Sequence, residues 1–390
     1  MKYEVFWRNP GYKPRPELKK NIECDYLIVG GGIAGVSTAY FLSKFSNKNI
    51  VLIEKHTIGN GATGKASGML STRGELDLSN IMEKYGEKNM TKIWKEIHQG
   101  LRVIREIIEK ERINCDVDYL DALYAGYKNK NYNDVRREFE IESSMEKNTK
   151  FLEKESLIKE LNSNLFDHGI LSINHGISVN PLKFVQNFSK VLDKKGVKIY
   201  ENTNFIKLSK NNIAETHHGN IKFKNIIFAV DADYQFKHVG HMKTTISVTR
   251  SLTKKELTET GLIKKKFVWD SKKNYNYIKL TKDNRILIGS GGIAIPKKYL
   301  GVEPHFPHLN QTKKFLKKLF PYLNLKIDYV WSASFGFNDN FFPLFEENKD
   351  VYSISGAADQ VFCVMFAKHI ALKLSGRKSN LDMLFRKNSR

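Results

Sequence analysis

Tyr26-Leu27-Ile28-Val29-Gly30-Gly31-Gly32-Ile33-Ala34-Gly35-Val36-Ser37-Thr38-Ala39-Tyr40-Phe41-Leu42 is the stretch that decides the fold. An apolar run of strand length leads into a GxGxxG turn, and the turn leads into a helix-like segment. Gly30 permits the tight turn out of the strand. Gly32 lets the backbone approach a phosphate, and Gly35 lets the helix pack closely on the sheet. Unpaired N–H groups and the positive end of the helix dipole then face an anion, so a pyrophosphate is held without a cationic side chain. A second apolar run, Ile50-Val51-Leu52-Ile53, follows after a helix-length gap and ends in Glu54, 24 positions after Gly30. A carboxylate there can accept hydrogen bonds from an adenosine ribose. Strand, turn, helix, strand and acid come in the order of a dinucleotide-binding βαβ unit. The competing reading is a glycine-rich turn in an ordinary βαβ unit.

The chain around this motif has 390 residues, enough for about two domains, and at 41% hydrophobic and 12% aromatic it can bury substantial cores. That composition excludes a disordered chain. The longest apolar runs are strand-sized, so no membrane span is expected. Met1 to Lys20 lacks the apolar core of a signal peptide, and Cys24, Cys115 and Cys363 are far apart without metal-ligand spacing. Reduced thiols and a cytoplasmic location are the expectation. The net charge is +22, from 64 Lys plus Arg against 42 Asp plus Glu. Lysine, asparagine and isoleucine are spread along the entire length, which suits a compositional bias more than a built nucleic-acid patch. The densest lysines, Lys313-Lys314 and Lys317-Lys318, alternate with Phe315, Leu316, Leu319 and Phe320 as on the solvated face of an amphipathic helix.

Residues 91 to 110 read as a long amphipathic helix, with Ile93, Ile97, Leu101, Ile104 and Ile108 at three- and four-residue steps. Cys115 to Tyr119 and Leu123 to Tyr127 look like two strands separated by a polar turn. Residues 128–164 are charged and helical or loop-like. Asn180-Pro181 caps and opens a helix with Leu182, Val185, Phe188 and Leu192 as its buried stripe. Strands at Val197–Tyr200 and Ile226–Val230 extend a mostly parallel sheet. From Thr244 to Gly292 the pattern becomes alternating β, the mark of a partly exposed antiparallel sheet. A late strand, Val351–Ser355, then Gly356 and a helix to about Leu374, imply that the chain returns to the first sheet. The expected fold class is α/β: a Rossmann-like domain with a mostly parallel sheet, plus a second α+β domain with an antiparallel sheet. The first domain would comprise residues 21–75, 165–235 and 330–390, and the second residues 76–164 and 236–329.

After Ile53-Glu54-Lys55 comes Gly59-Asn60-Gly61-Ala62-Thr63-Gly64-Lys65-Ala66-Ser67-Gly68, and near the other end come Trp331 to Pro343 and Ser355-Gly356-Ala357-Ala358. This arrangement resembles the FAD-dependent D-amino-acid oxidase superfamily, and within it the amine and glycine/sarcosine oxidase-like members. The resemblance spans nearly the whole chain and is sharpest in the N-terminal third. It implies FAD as cofactor, with Gly30, Gly32, Ile33, Ala34 and Gly35 at the pyrophosphate and Glu54 and Lys55 by the adenosine ribose. It further implies that Ala62, Thr63, Lys65, Ala66 and Ser67 lie against the flavin. Gly356, Ala357, Asp359, Gln360 and Val361 would face its pyrimidine edge, where amide donors and a helix N-terminus stabilise charge left by an arriving hydride. Relatives that attach flavin covalently use a His near residue 65 or a Cys near the closing Trp–Pro segment. Here Lys65 occupies the first, and Trp331 to Pro343 contains no Cys, so FAD is expected to be non-covalent.

The same resemblance places the substrate near Tyr275, Tyr277 and Lys279, which alternate along one strand and so share a face. Lys279 would hold a substrate carboxylate, although an exposed polar strand face explains the three equally well. His168, His175, His217 and His218 read as surface or loop histidines. The activity implied is oxidation of the C–N bond of a small amine or amino acid, with hydride passing from the α-carbon to flavin and the imine then hydrolysed. Oxygen or another carrier would take the electrons onward. Two alternatives remain open at this point: an FAD-dependent tRNA-modification enzyme, suggested by the basic charge, and a catalytically degenerate FAD-binding subunit, suggested by Ala357, Ala358 and Gln360 standing where the resemblance implies glycines.

Overall fold

The computed structural model describes residues 1–381 apart from 74–76, 129–131, 233–238, 297–300, 302, 339–341 and 357–358. Two sheets organise them. The first has eight strands, and its parallel centre runs Val351–Ser355, Asn220–Phe228, Ile22–Val29, Ile50–Ile53, Lys198–Tyr200. Where both faces are covered the central strands run apolar, as at Leu27–Val29, Ile50–Ile53 and Ile226–Phe228. Tyr26, Ile28, Ile50 and Leu52 point into a core shared with the helices Ile33–Phe45, Pro181–Lys194 and Gln360–Leu374. Leu27, Val29, Val51 and Ile53 alternate to the other face, where they share an apolar cluster with Ile221 and Phe223 of the neighbouring strand and with Leu18 and Ala214. The glycine turn is tightly boxed. A methyl group on Gly30 (φ +112°) would meet the Ala229 carbonyl oxygen at 2.3 Å, and one on Gly35 would meet that of Gly30 at 1.9 Å. Only glycine fits either position.

The helix expected after Asn180 forms over Pro181–Lys194, and the Asn180 side chain accepts from the Lys183 N–H at 3.1 Å. The amphipathic segment expected from residue 91 is a helix from Glu87 to Lys110, packed on Gln360–Leu374. The helix carrying the lysine cluster spans Phe306–Leu319 and buries Phe315, Leu316 and Leu319. No helix among the described residues is long and apolar enough to cross a membrane.

The second sheet has ten strands, paired antiparallel except where Lys266–Asp270 lies parallel to Asp118–Gly126. It departs from the sequence reading in four respects. Residues 115–127 hold one strand, Asp118–Gly126, because Lys266 pairs with Asp121 where a turn was expected, while His168–Ser178 passes that position with a shift of register. Residues 128–164 contain a helix (Tyr132–Met145), a strand (Thr149–Glu153) and a second helix (Lys154–Leu161). The strand Arg285–Ser290 is not half-exposed: Ile286 and Ile288 enter one core with Phe315 and Leu316, while Leu287 enters another with Trp7 and Trp331. Finally, Met69–Ser71, His168–Ser178 and Ile327–Phe337 all pair within this sheet, although the expected division places most of them in the first domain.

The N-terminal segment ties the sheets together. Lys2 pairs through its backbone with Asp328 and Val330 in the second sheet. Farther along, the Tyr12 hydroxyl donates to Glu201 at 2.8 Å and Leu18 is buried under the first sheet. Phe188, fully buried against Tyr40 and Phe184, anchors the helix-side core. Phe188→Ala should therefore lower the free energy of unfolding by about 3–5 kcal/mol. A loss below about 1 kcal/mol in chemical denaturation would contradict this packing.

Candidate functional site

The carboxyl ends of the first sheet's parallel strands and the inner face of the second sheet enclose a cavity of 2040 Å³. Ligands of doubly wound sheets bind at such strand ends, and drug-sized ligands need only about 300–1,000 Å³. Most residues singled out in the sequence meet here. Gly30, Gly32, Ile33, Ala34, Glu54, Lys55, Ala62, Thr63, Lys65, Ala66, Ser67, Asp359 and Gln360 line it, as do Tyr275 and Tyr277. Gly35 stands behind the turn as a packing contact, Val361 lies in the core beneath the last helix, and Gly356 is outside the lining. Ala357 falls outside the described residues.

Side chains replace solvent as partners of the turn's backbone. The Glu54 carboxylate accepts from the Gly31 N–H at 2.7 Å and, through its other oxygen, from the His56 N–H at 2.9 Å. Each of its oxygens keeps a lone pair for a further donor. Thr63 Oγ1 accepts from the Ile33 N–H at 3.0 Å, locking the 62–65 helical turn onto the first turn of the Ile33–Phe45 helix. Two indoles clamp the other end of that loop. Trp331 Nε1–H donates to the Lys65 carbonyl and Trp7 Nε1–H to that of Ala66, each at 2.8 Å. Trp7 belongs to the N-terminal segment, to which the sequence reading assigned no role at the site.

Lys279 is not where it was expected. It is 1% exposed and does not line the cavity. Its ammonium sits behind the loop, donating to the Gly68 carbonyl at 2.9 Å, Ser178 Oγ at 2.8 Å and the Val179 carbonyl at 3.1 Å. Burial pulls its pKa down to about 7, against which three acceptors match the three protons of an ammonium. The strand begins at Asn276, so Tyr275 precedes it; Tyr277 and Lys279 alternate along it as expected, but Lys279 lies beneath the Gly68 end of the loop instead of in the cavity. No proton of Lys279 is left for a substrate carboxylate.

Two histidines also differ from expectation. His168 and His175 are buried, whereas His217 and His218 are exposed. His175, His98 and Glu146 bring their ligand-type atoms within 4.8 Å of one another, from three elements distant in sequence. Nδ1 of His175 lies 3.0 Å from Thr72 Oγ1, and burial holds His98 down to about 3, so its ring is neutral.

The cavity wall fits a large polar ligand. Ser355 Oγ, Gln360 Oε1, Ser290 Oγ and Asn274 Oδ1 are buried there without a hydrogen-bond partner among the described residues. Groups in that state are costly unless a bound molecule pairs with them. A family model described as FAD dependent oxidoreductase matches residues 25–371. The chain belongs to this family. As a member of the FAD-dependent oxidoreductase family it aligns with gamma-glutamylputrescine oxidoreductase of Escherichia coli, 26% identical over 375 residues, covering 93% of this chain and 86% of that protein. Glycine oxidase of Bacillus subtilis is 21% identical over 323 residues, 81% of each chain. In fold it is similar to the crystal structure of glycine oxidase from Geobacillus kaustophilus, with a TM-score of 0.78 at 16% identity over 93% of this chain and 98% of that one. L-proline dehydrogenase from P. horikoshii superposes with a TM-score of 0.76 at 18% identity, covering 94% and 96%.

Family membership makes the cofactor FAD. The residues present fit it: an open helix N-terminus at Gly32, an acid at Glu54 with spare lone pairs, and orphaned wall atoms beside the last helix. Glu54→Ala removes a charged acceptor of about 1.5–3 kcal/mol, so FAD should bind at least about tenfold more weakly to the apoprotein in a fluorescence titration. Lys279→Met should leave the buried Val179 carbonyl without its donor and remove the partner of Ser178 Oγ, while Gly68 keeps the Val179 N–H, costing about 1–3 kcal/mol of stability. Its KM for substrate should stay unchanged; a raised KM with unchanged stability would restore Lys279 to the substrate pocket.

Proposed function

We propose that this FAD-dependent oxidoreductase oxidises the C–N bond of a small amine or amino acid. The observation that carries this reading is the continuity of one cavity. It runs from the Gly30–Ala34 turn, past the 62–67 loop, to a chamber walled by Tyr124, Phe267, Trp269, Tyr275 and Tyr277. Relatives that share most of this chain's length bear the names of amine and amino-acid oxidoreductases.

Bound FAD supplies a two-electron acceptor for hydride leaving the carbon next to nitrogen. The chain's own residues do the rest. The aromatic wall excludes water and orients the α C–H. The Gln360–Leu374 helix directs its N-terminus at the cavity, with the Asp359 side chain capping the Val361 N–H at 2.5 Å, so positive dipole character lies where negative charge develops. The product imine is hydrolysed by water to a carbonyl compound and an amine.

FAD is held non-covalently in this reading. Of the three cysteines only Cys363 lines the cavity, and burial pushes its thiol far above the usual range, so no thiolate is present to attach the ring. Heat-denatured protein should release all its yellow colour into the filtrate, and retention of colour in the precipitate would refute non-covalent binding. Anaerobic addition of the right amine or amino acid should bleach the flavin band. A panel of both classes that leaves the band unchanged would overturn the proposed activity.

A further inference from the structure

His98 and His175 are far apart in the chain, on the helix Glu87–Lys110 and the strand His168–Ser178. Trp94, one turn earlier on the same helix, stacks on the His98 ring at 3.7 Å between centroids. The His175 ring meets His98 edge-on at 4.7 Å. His98 is thus oriented from two sides, and its Nε2 is buried with no hydrogen-bond partner among the described residues. A buried imidazole nitrogen in that state costs free energy unless a further group pairs with it.

A third donor closes the cluster. Glu146 follows the last turn of the helix Tyr132–Met145, where its N–H bonds the Glu142 carbonyl at 2.9 Å. Its carboxylate comes within 4.8 Å of a nitrogen on each ring. Among the described residues that carboxylate takes one hydrogen bond, from the Asn148 N–H at 3.1 Å. Glu142, one turn earlier, is not free for the same role, because Arg73, Ser172 and Thr149 occupy it. Glu142 acts from behind instead. It lies 3.8 Å from His175 Nδ1, and Thr72 Oγ1 lies 3.0 Å from the same atom. Both oxygens favour the proton on Nδ1, which leaves the lone pair of His175 on Nε2. Metal-binding imidazoles are held in this way, with the second N–H given to an oxygen acceptor.

Two imidazoles and one carboxylate suit zinc and its first-row neighbours and are poor for magnesium or calcium, which take oxygen ligands. Zinc accepts three such protein ligands and completes its shell with water. Its ligand distances of about 2.0–2.2 Å set donor atoms roughly 3.4 Å apart, a gap that the half-buried Glu146 side chain can close at its helix end.

We infer that His98, His175 and Glu146 bind a divalent metal ion of the zinc type. The ion ties the second sheet to the Glu87–Lys110 helix, which itself packs on Gln360–Leu374. None of the three ligands lines the cavity, so the ion braces the wall from behind and takes no part in the oxidation. The inference stands apart from the proposed reaction.

The test uses FAD-loaded protein, freed of metal by chelation and dialysis. His217→Ala and His218→Ala are introduced into this parent because both histidines are exposed and could bind zinc themselves. Calorimetric titration with zinc chloride should give one ion per chain at micromolar affinity or better, and magnesium chloride should give no binding. Zinc at about a hundredfold excess over its Kd should raise Tm by about 3 °C. Loss of an outer partner of a metal ligand costs about 10–100-fold in affinity, so His98→Ala and Glu146→Gln should each weaken zinc binding by at least about tenfold and shrink the Tm gain. Glu146→Gln keeps the shape of a half-buried side chain, so it remains decisive even where His98→Ala does not fold, and the flavin spectrum reports the folding of both. Less than one zinc per chain, magnesium bound as tightly as zinc, or a Glu146→Gln affinity within tenfold of the parent overturns the inference. Each of these results leaves amine or amino-acid oxidation untouched.

Discussion

The structure depends on how closely the first helix lies against the first strand. Gly35 sits so near the Gly30 carbonyl that one added methyl group would overlap it, and Gly30 is pressed in the same way against Ala229. These two contacts fix the height of the helix N-terminus above the sheet. Glu54 and Thr63 then tie that N-terminus to the ends of two further segments through the Gly31 and Ile33 amides. Loosening the first packing would move every later partner. A packed interior transmits such displacement instead of absorbing it.

How much could be read from the sequence follows from the range of the forces involved. The βαβ unit was legible because its determinants are local: period-two apolar strands buried on both faces, a glycine turn, and an acid one strand later. The helices at Pro181–Lys194 and Gln360–Leu374 were legible for the same reason, through Asn180-Pro181 and through Gly356 after an apolar run. Most of the residues assigned to the cofactor line one cavity, because strand order delivers their loops to one edge, although Gly35, Gly356 and Val361 do not.

Long-range effects were not legible. Lys279 looks like one member of an alternating polar face, and nothing nearby in sequence announces that Gly68, Ser178 and Val179 will enclose its ammonium. Trp7 lies in a segment without periodicity, and its importance comes from carbonyls some sixty residues away. Asp77 stands where the helix Leu78–Tyr85 would take its N-cap. That signal misleads, since Glu138 takes the capping role across a gap of 60 residues. That His168–Ser178 and Ile327–Phe337 pair in the second sheet was not legible either, because a strand's partner is set by hydrogen-bond register, which composition does not encode.

The N-terminal segment has a consequence for the order in which the protein is made. Residues 2–15 are made well before their seats at Glu201 and at Asp328 to Val330. During synthesis this stretch must wait, unattached, while the glycine turn and its helix are already available. The two-tryptophan clasp on the 62–66 loop therefore closes only after Trp331 has emerged. Until then the nascent cofactor pocket remains open at that corner.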